Sequence, residues 1–103
     1  MSQTYPPVPA DPGVTRQVLS QAPELMVVAF RFEQGAEGTL HNHPHVQATF
    51  VQSGRFAFHL DGKEHTLGPS DSLMIPSAAR HGCRCLEAGT LIDSFAPRRD
   101  DFL

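Results

Sequence analysis

The stretch GTLHNHPHVQATF, residues 38–50, places histidines at alternate positions: His41, His43 and His45, followed in the same register by Gln47. The chain has 6 histidines, so half of them lie within this one segment. On an extended strand, side chains two and four positions apart share a face. Two imidazoles at that spacing can bind one divalent cation, because histidine is the commonest metal-ligating side chain. The stretch therefore predicts a strand that carries a metal site, and a polar strand with solvent-exposed histidines is the competing interpretation.

Much of the remaining chain has the pattern of short strands separated by turns. The dipeptide Asp61-Gly62 is a strong hairpin signal, and no stretch combines sustained helical periodicity with caps. Close, regular spacing of short strands predicts an all-β sandwich or barrel. An immunoglobulin-type sandwich is disfavoured, since the chain has no Trp. The predicted strands are 25–32, 46–53, 55–60, 63–67, 72–76, 80–89 and 90–97.

The length of 103 residues predicts a single domain. Residues 1–13 contain four prolines, which predicts an extended N-terminal arm, either lying across a neighbouring subunit or loose. Residues 14–103 are then the barrel. A domain this small buries a modest fraction of its surface, so we expect a homodimer in which the arm or an exposed sheet edge pairs between subunits.

The charge and the apolar pattern exclude two classes of partner. The formal net charge is -3 and the isoelectric point is about 6.0, so no basic surface is expected to bind nucleic acid. No apolar run approaches the roughly 20 residues that a membrane helix needs. The N-terminal segment does not resemble a signal peptide, and we expect a cytoplasmic protein. There, Cys83 and Cys85 are expected to be reduced thiols without a disulfide.

The spacing around the histidines resembles the first motif of the cupin superfamily. Gly35 precedes His41 by six positions, and Gly54 follows Gln47 by seven, with Gln47 at the position of a carboxylate. A second cupin motif is matched at Pro76 and His81. Ser70 and Ala78 stand where that motif has glycines, and Cys85 stands where it has an asparagine.

The cupin resemblance implies a small antiparallel jelly-roll β-barrel that holds one divalent metal ion, with Zn, Ni, Mn and Fe as candidates. It implies an imidazole set completed by His81, and Gln47 either as a fourth ligand or as a neighbour that does not bind the ion. His45 matches no motif position, and His59 and His65 are expected to be structural or solvated. The implied metal ligands are His41, His43, Gln47 and His81.

The chain end, DSFAPRRDDFL, narrows the resemblance to the KdgF, or pectin-degradation, group of small cupins. That resemblance implies conversion of 4,5-unsaturated monouronates, small anionic sugars released from pectin or alginate, into linear ketonised products. The implied catalytic residues are Asp93, Phe95 and Arg99. Asp93 alternates with Leu91 and Phe95, so the aspartate is either in the cavity or on a wet face. Arg98 is at a position where the group usually has proline, which leaves both arginines as candidates for the substrate.

Three other functions use the same fold and ligands. One is a non-haem Fe(II) dioxygenase, and another is a non-catalytic cupin that binds a sugar and keeps a metal for structure. The third, a sensor module of a transcription factor, ranks last because the chain is acidic and too short to add a DNA-binding unit.

Overall fold

The computed structural model describes residues 5–103, and almost all of them lie in strands or tight turns. The strands are antiparallel to their neighbours, as the turn-rich sequence predicts. Within the described residues, no helix is long and apolar enough to cross a membrane. The strands are Val8–Pro9 (β1), Val14–Ala22 (β2), Leu25–Phe32 (β3), Glu37–His41 (β4), Val46–Leu60 (β5), Lys63–Leu67 (β6), Ser72–Ile75 (β7) and His81–Ala96 (β8).

Strand β8 organises the fold. Its last half pairs with β3, its first half pairs with the short β4, and β5 pairs with it along almost its whole length. The strand order is β1-β2-β3-β8-β5-β6, and β7 pairs with the first part of β5 along the same edge that β6 uses further on. The two long strands, β5 and β8, thus belong to both halves of a sheet that folds over itself. The predicted all-β jelly-roll architecture is confirmed.

The prediction of two strands on either side of Gly54 is wrong in detail, because β5 runs unbroken through this glycine. Gly54 has a φ of 83°, and the pairing of β5 with β8 is irregular from Val51 to Phe56. A Cβ atom at Gly54 would lie 2.5 Å from the carbonyl oxygen of Glu87. Glycine therefore allows β5 and β8 to cross closely while the strand bends from one half of the sheet to the other. The predicted strands 80–89 and 90–97 likewise form one strand, β8.

The inner faces of the folded sheet form the core. The larger cluster contains Phe32, Phe56, Ile75 and Leu91, and the rings of Phe32 and Phe56 meet edge to face at 5.2 Å. A smaller cluster is built on Phe95 and three residues of β2 and β3, Val18, Met26 and Val28. The sequence patterns had not predicted β2 or β4, and both strands contribute residues to the lining of a cavity.

Residues 5–13 of the predicted arm lie against the same chain. Val8 pairs with Arg16 and Pro9 pairs with Thr15, so β1 extends the sheet next to β2. The side-chain amide of Gln17 donates to the carbonyl oxygen of Tyr5 at 2.8 Å. The first four residues of the arm lie outside the described part of the chain.

Candidate metal centre and its cavity

Three imidazoles converge at one end of the barrel. The nitrogens that His41, His43 and His81 can offer all lie within 4.8 Å of one another. The ring centroids are 4.3 Å apart for His41 and His81, 4.8 Å for His43 and His81, and 5.5 Å for His41 and His43. Small side-chain rotations bring three nitrogens at this spacing onto one ion, for which nitrogen-metal bonds of about 2.0–2.1 Å are usual.

The three histidines come from different local structures. His41 ends β4 and is the register partner of His81, which begins β8. His43 does not continue a strand, because the chain turns between β4 and β5. Pro44 explains the break, since proline has no N–H for the sheet. The strand-parity argument for His41 and His43 is therefore wrong, although both rings do face the same cluster.

The turn before His81 is tied to the turn that carries His43. The backbone N–H of Ala78 donates to the carbonyl oxygen of His43 at 2.8 Å. Ala78 has a φ of 65° and Ser70 has a φ of 72°. Both positions therefore keep the left-handed backbone for which the motif has glycine, although the side chains differ.

Each of the three histidines directs one ring nitrogen to a backbone carbonyl. In a neutral imidazole whose Nδ1–H donates, Nε2 has a free lone pair and can bind a metal. Burial lowers the pKa of His43 and lowers the pKa of His81 to about 4, which keeps both rings neutral at physiological pH. The Nδ1 contacts are Thr39 O to His41 at 2.6 Å, His45 O to His43 at 3.0 Å and Ala79 O to His81 at 3.0 Å.

Two observations indicate that a cation belongs between these side chains. Nε2 of His81 is buried and has no hydrogen-bond partner among residues 5–103. Nε2 of His43 lies 2.9 Å from Oε1 of Gln47, while Nδ1 of the same ring lies 3.0 Å from the carbonyl oxygen of His45, and a neutral ring can donate to only one of these two acceptors. Two acceptors at that distance repel each other unless a proton or a metal ion lies nearby. The donor set, three neutral imidazoles and one amide oxygen, fits a divalent ion.

Gln47 is held in this orientation by the other end of its amide. Its Nε2 donates to Oγ1 of Thr49 at 2.9 Å and to Oδ2 of Asp93 at 3.2 Å. Because the side-chain nitrogen of Gln47 donates both of its hydrogen bonds to acceptors on the side of Asp93, the amide oxygen must face His43. Gln47 is 4% exposed, so these contacts are made away from bulk water. It links the imidazole cluster directly to the buried carboxyl group.

Asp93 is a buried acid on the face that the alternation predicts, beside Leu91 and Phe95. Burial raises the pKa of its carboxyl group to about 7, partly opposed by hydrogen bonds from Thr49 and Gln47. Its Oδ1 has no hydrogen-bond partner within the part of the chain that the structure describes. A carboxyl group with such a pKa can both take up and release a proton at neutral pH.

A cavity of about 290 Å³ connects these groups. It is at the small end of the range for ligand pockets, about 300–1,000 Å³, and its size suits a monosaccharide. The apolar walls include Phe30, Phe58, Leu91, Phe95 and Phe102. The charged and candidate metal-binding groups that line the cavity are Asp11, Arg16, His41, Gln47, His81, Asp93 and Arg99, whereas His43 is not part of the lining.

The structure distinguishes the two neighbouring arginines. The guanidinium of Arg99 lies 5.2 Å from the ring centroid of Phe95, its side chain is 13% exposed, and it lines the cavity. Arg98 instead donates to Oε1 of Gln21 at 2.8 Å and to Oδ1 of Asp100 at 2.7 Å, outside the cavity. Of the two, Arg99 is the candidate for contact with a ligand.

The other singled-out residues lie apart from the cluster's centre. His45 is half-buried and, like His43, is not among the cavity-lining residues. Its ring lies 5.4 Å from that of His43, and its Nδ1 has no hydrogen-bond partner among the described residues, but it does not belong to the group of three imidazoles whose nitrogens converge. His59 is 3.5 Å from Glu64 on the surface. Cys83 and Cys85 are free and buried, as expected of reduced thiols, and burial raises the pKa of Cys83 to about 12. A thiol of that pKa is not a nucleophile at neutral pH.

A model of the cupin domain matches residues 28–93, which hold all four candidate ligands and Asp93. The chain belongs to the cupin family. This cupin is 38% identical over 93 residues to the pectin degradation protein KdgF of Dickeya dadantii (strain 3937), covering 88% of this chain and 84% of that protein.

Two solved structures of similar size superpose on this cupin. An RmlC-like cupin from Shewanella frigidimarina NCIMB 400 has a TM-score of 0.92 and 38% identity, over 96% of this chain and 89% of that one. KdgF from Halomonas sp. has a TM-score of 0.91 and 34% identity, and the match covers 100% of both chains. The resemblance to the KdgF group is therefore confirmed over the whole barrel, including the C-terminal segment.

Sequence reasoning missed two residues of the cavity region. Thr49 is 0% exposed and continues the alternation from Gln47, so one further step of the same pattern would have found it. Arg16 is a charged residue between the buried Val14 and Val18, the same signal that identified Asp93. It was missed because no strand was predicted at this point of the chain.

Proposed function

We propose that this cupin is a metal-dependent isomerase that opens and ketonises 4,5-unsaturated monouronates. The observation that carries the proposal is the placement of Asp93: a buried carboxyl group with one unpartnered oxygen, hydrogen-bonded through Gln47 to the imidazole cluster, in a cavity lined by arginine. The relative from Dickeya dadantii is named for pectin degradation, and this supports a uronate as the substrate.

The proposed metal ligands are the three imidazoles of His41, His43 and His81 and the amide oxygen of Gln47. All four are neutral, so a divalent ion would keep its full charge in the site. Such an ion, when bound, supplies Lewis-acid stabilisation to negative charge that develops on a substrate oxygen. Imidazole and carbonyl donors suit Zn, Ni, Mn or Fe(II).

Asp93 is the proposed proton-transfer group. The substrate ring is both a hemiacetal and an enol ether. As the ionised carboxylate takes the proton of the anomeric hydroxyl, the bond between the anomeric carbon and the ring oxygen breaks. Its electron pair leaves with the oxygen as an enolate. The double-bond carbon of the enolate that does not bear the oxygen then takes a proton from Asp93, and the enolate becomes a ketone, so the product is an isomer of the substrate.

One carboxyl group can serve both steps because its pKa lies near the working pH. Asp93, with a pKa raised to about 7, is present in both protonation states at neutral pH. The hydrogen bond from Gln47 holds one oxygen of this carboxyl group in place and leaves Oδ1 for the substrate.

Phe95 and Arg99 are proposed to position the sugar. Phe95 is 2% exposed and lies between the ring of His43, at 5.7 Å, and the guanidinium of Arg99. Its face is an apolar wall on which one face of the sugar ring can pack. Arg99 contributes positive charge at the cavity, which favours a carboxylate ligand.

The proposal is tested by the ultraviolet absorbance of the substrate. Unsaturated monouronates made by exhaustive lyase digestion of pectate and of alginate are mixed with metal-loaded protein, and the conjugated enol ether is followed over time. We expect rapid loss of absorbance with at least one digest, without oxygen uptake. In D₂O, the product should carry deuterium at the carbon next to the new ketone.

Other outcomes would refute the proposal. If absorbance falls only at the protein-free rate with both digests, the ketonisation function is wrong and a binding role remains. If the reaction consumes oxygen in proportion to the substrate lost, the protein is a dioxygenase. An Asp93→Asn protein, carried through the same assay, separates catalysis by this site from that of a contaminant.

The expected location and assembly stay predictions. We infer a cytoplasmic protein, since monouronates are small products that are processed after uptake. We also infer a homodimer of single barrels, each carrying its own N-terminal arm. The edge strand β6 and exposed apolar residues such as Leu19, Leu25 and Phe50 offer surface for it. Light scattering at micromolar concentration checks the assembly.

A further inference from the structure

The cavity contains a second guanidinium group, from Arg16 on β2. Its Cζ lies 4.1 Å from the ring centroid of Phe102, and Cζ of Arg99 lies 4.3 Å from the same centroid. Arg16 and Arg99 come from opposite ends of the chain, and both line the cavity that contains Asp93. Phe102 in turn meets the ring of Phe95 edge to face at 5.7 Å.

The two guanidinium groups differ in what they already bind. Nε and Nη2 of Arg99 donate to the two carboxylate oxygens of Asp101 at 3.0 and 2.8 Å. This bond from Arg99 lowers the pKa of Asp101 and occupies one full edge of the guanidinium. This edge of Arg99 is therefore already in use, and a ligand carboxylate would compete with Asp101 for it.

Arg16 has no such acceptor. Among residues 5–103, it makes no hydrogen bond or ion pair with another side chain, and its contact is the face of Phe102. A planar guanidinium stacked on a ring keeps its N–H groups directed sideways, where a carboxylate can accept two of them. Arg16 is also half-buried, so that a carboxylate bound there is partly shielded from water.

We propose that Arg16 binds the carboxylate of the sugar acid and so selects anionic sugars over neutral ones. Arg99, held by Asp101, contacts the same Phe102 ring and supports this position through its charge and through its contact with Phe95. The inference rests on the proposed function for the class of ligand, a monouronate. It assigns the main carboxylate contact to a residue outside the histidine motif and outside the C-terminal segment.

The test measures binding of D-galacturonate and of D-galactose to metal-loaded protein by calorimetry, which requires no turnover. We expect galacturonate to bind wild-type protein more tightly than galactose. In Arg16→Gln, the galacturonate Kd should rise roughly 10- to 100-fold, the range for loss of a charge-assisted pair, while metal content is unchanged. Arg16→Lys keeps the charge without the planar fork and should give an intermediate Kd.

The matched control is Arg84→Gln, the same substitution at an exposed position of β8 outside the cavity, which should bind galacturonate like the wild type. With the unsaturated uronate, Arg16→Gln should raise KM by a similar factor and change kcat less than about threefold. The reason is that Arg16 would bind the carboxylate equally well in the ground state and in the transition state. Thermal unfolding confirms that each variant is folded.

Two results would overturn the assignment: an Arg16→Gln protein that binds galacturonate as tightly as the wild type, or a wild-type protein that does not distinguish galacturonate from galactose. Failure of the proposed function is separate from both. A protein that never ketonises a uronate but loses galacturonate binding with Arg16→Gln supports the role of Arg16. A protein that ketonises with Arg16→Gln at wild-type KM supports the function and contradicts the role.

Discussion

Gln47 donates its side-chain amide to the carboxyl group of Asp93 across 3.2 Å, and this bond couples the metal cluster to the proposed proton-transfer group. A glutamate at position 47 could not make the same bond. The amide keeps one charge out of the cavity, directs its oxygen toward His43 and the proposed ion, and fixes one oxygen of Asp93. These contacts explain why a neutral glutamine can stand at position 47, where the cupin motif usually has a carboxylate.

Replacing Gln47 with glutamate should strengthen metal binding and weaken catalysis. Two carboxyl groups at this distance cannot both be ionised, so the pKa of Asp93 should rise further above 7. We expect slower loss of metal to a chelator together with a fall in kcat of about tenfold or more. Gln47→Asn, which keeps the amide but shortens its reach, is the neutral control. A Gln47→Glu protein with wild-type kcat would contradict the coupling.

Replacing Asp93 with asparagine should leave the metal bound and slow ketonisation. The shape of the side chain is kept and the ionisable group is lost, and a positioned acid or base contributes about 10²- to 10⁴-fold to a rate. Metal content and the absorbance assay, measured on the same preparation, check this. Ketonisation at the wild-type rate would exclude Asp93 as the proton-transfer group.

The buried acid should also make the stability of metal-free protein depend on pH. The unfolded chain releases the proton of Asp93 near its ordinary pKa of 3.8, whereas the folded protein holds it up to about pH 7. Between these values the unfolded state binds fewer protons, so Asp93 lowers the free energy of unfolding as pH rises, and the loss is complete above about pH 7.

Thermal unfolding of chelator-treated Asp93→Asn and wild-type proteins measures this effect. The variant should gain stability relative to the wild type as pH rises from 4 to 7, and the difference should level off beyond. His81 acts in the opposite direction, because its pKa is lowered to about 4 and stability from it is lost as pH falls below 6.5. Its effect is common to both proteins and cancels in the difference. A difference that is flat with pH would contradict the raised pKa of Asp93.

The histidines should differ in their effect on metal content. His81→Gln removes a nitrogen that is buried and otherwise unpartnered among the described residues, and metal affinity should fall by roughly 100-fold or more. His45→Gln changes a ring outside the cavity lining, and we expect it to keep the metal. Elemental analysis after dialysis against a weak chelator compares the two. Equal losses would place His45 among the ligands.

Ala78→Gly should stabilise the protein. A non-glycine residue with a left-handed backbone costs the folded protein about 1–2 kcal/mol. Glycine removes this strain, but it also makes the unfolded chain more flexible, which lowers the free energy of unfolding by about 0.5–1 kcal/mol. We expect a net gain of about 0.5–1 kcal/mol and a rise in Tm of several degrees. Ala79→Gly, the same change at a neighbouring residue without a positive φ, should lower Tm instead. A lower Tm for Ala78→Gly would contradict strain at this turn.

Local sequence patterns were enough for part of the site. The two-residue period of a strand placed Asp93 on one face with Leu91 and Phe95, because side-chain direction along a strand depends only on neighbouring backbone. The structure then showed that this face is buried. The spacing of the histidine motif and of Pro76 and His81 was enough for the family and thus for the jelly roll. The alternation did not hold for His43, because Pro44 lies in the turn that separates β4 from β5.

Only the tertiary structure decided which side chains meet. The pairing of His41 with His81, and of Thr49 with Asp93, is set by the register of β8 against β4 and β5. That register depends on the bend at Gly54 and on closure of the sheet, which no local pattern encodes. The same closure turns Arg16 of β2 toward Phe102 and directs Arg98 away from the cavity while Arg99 lines it. Residue spacing predicted the fold family and the candidate donor set, whereas long-range strand pairing decided the partners of each candidate donor, since packing acts between segments far apart in the chain.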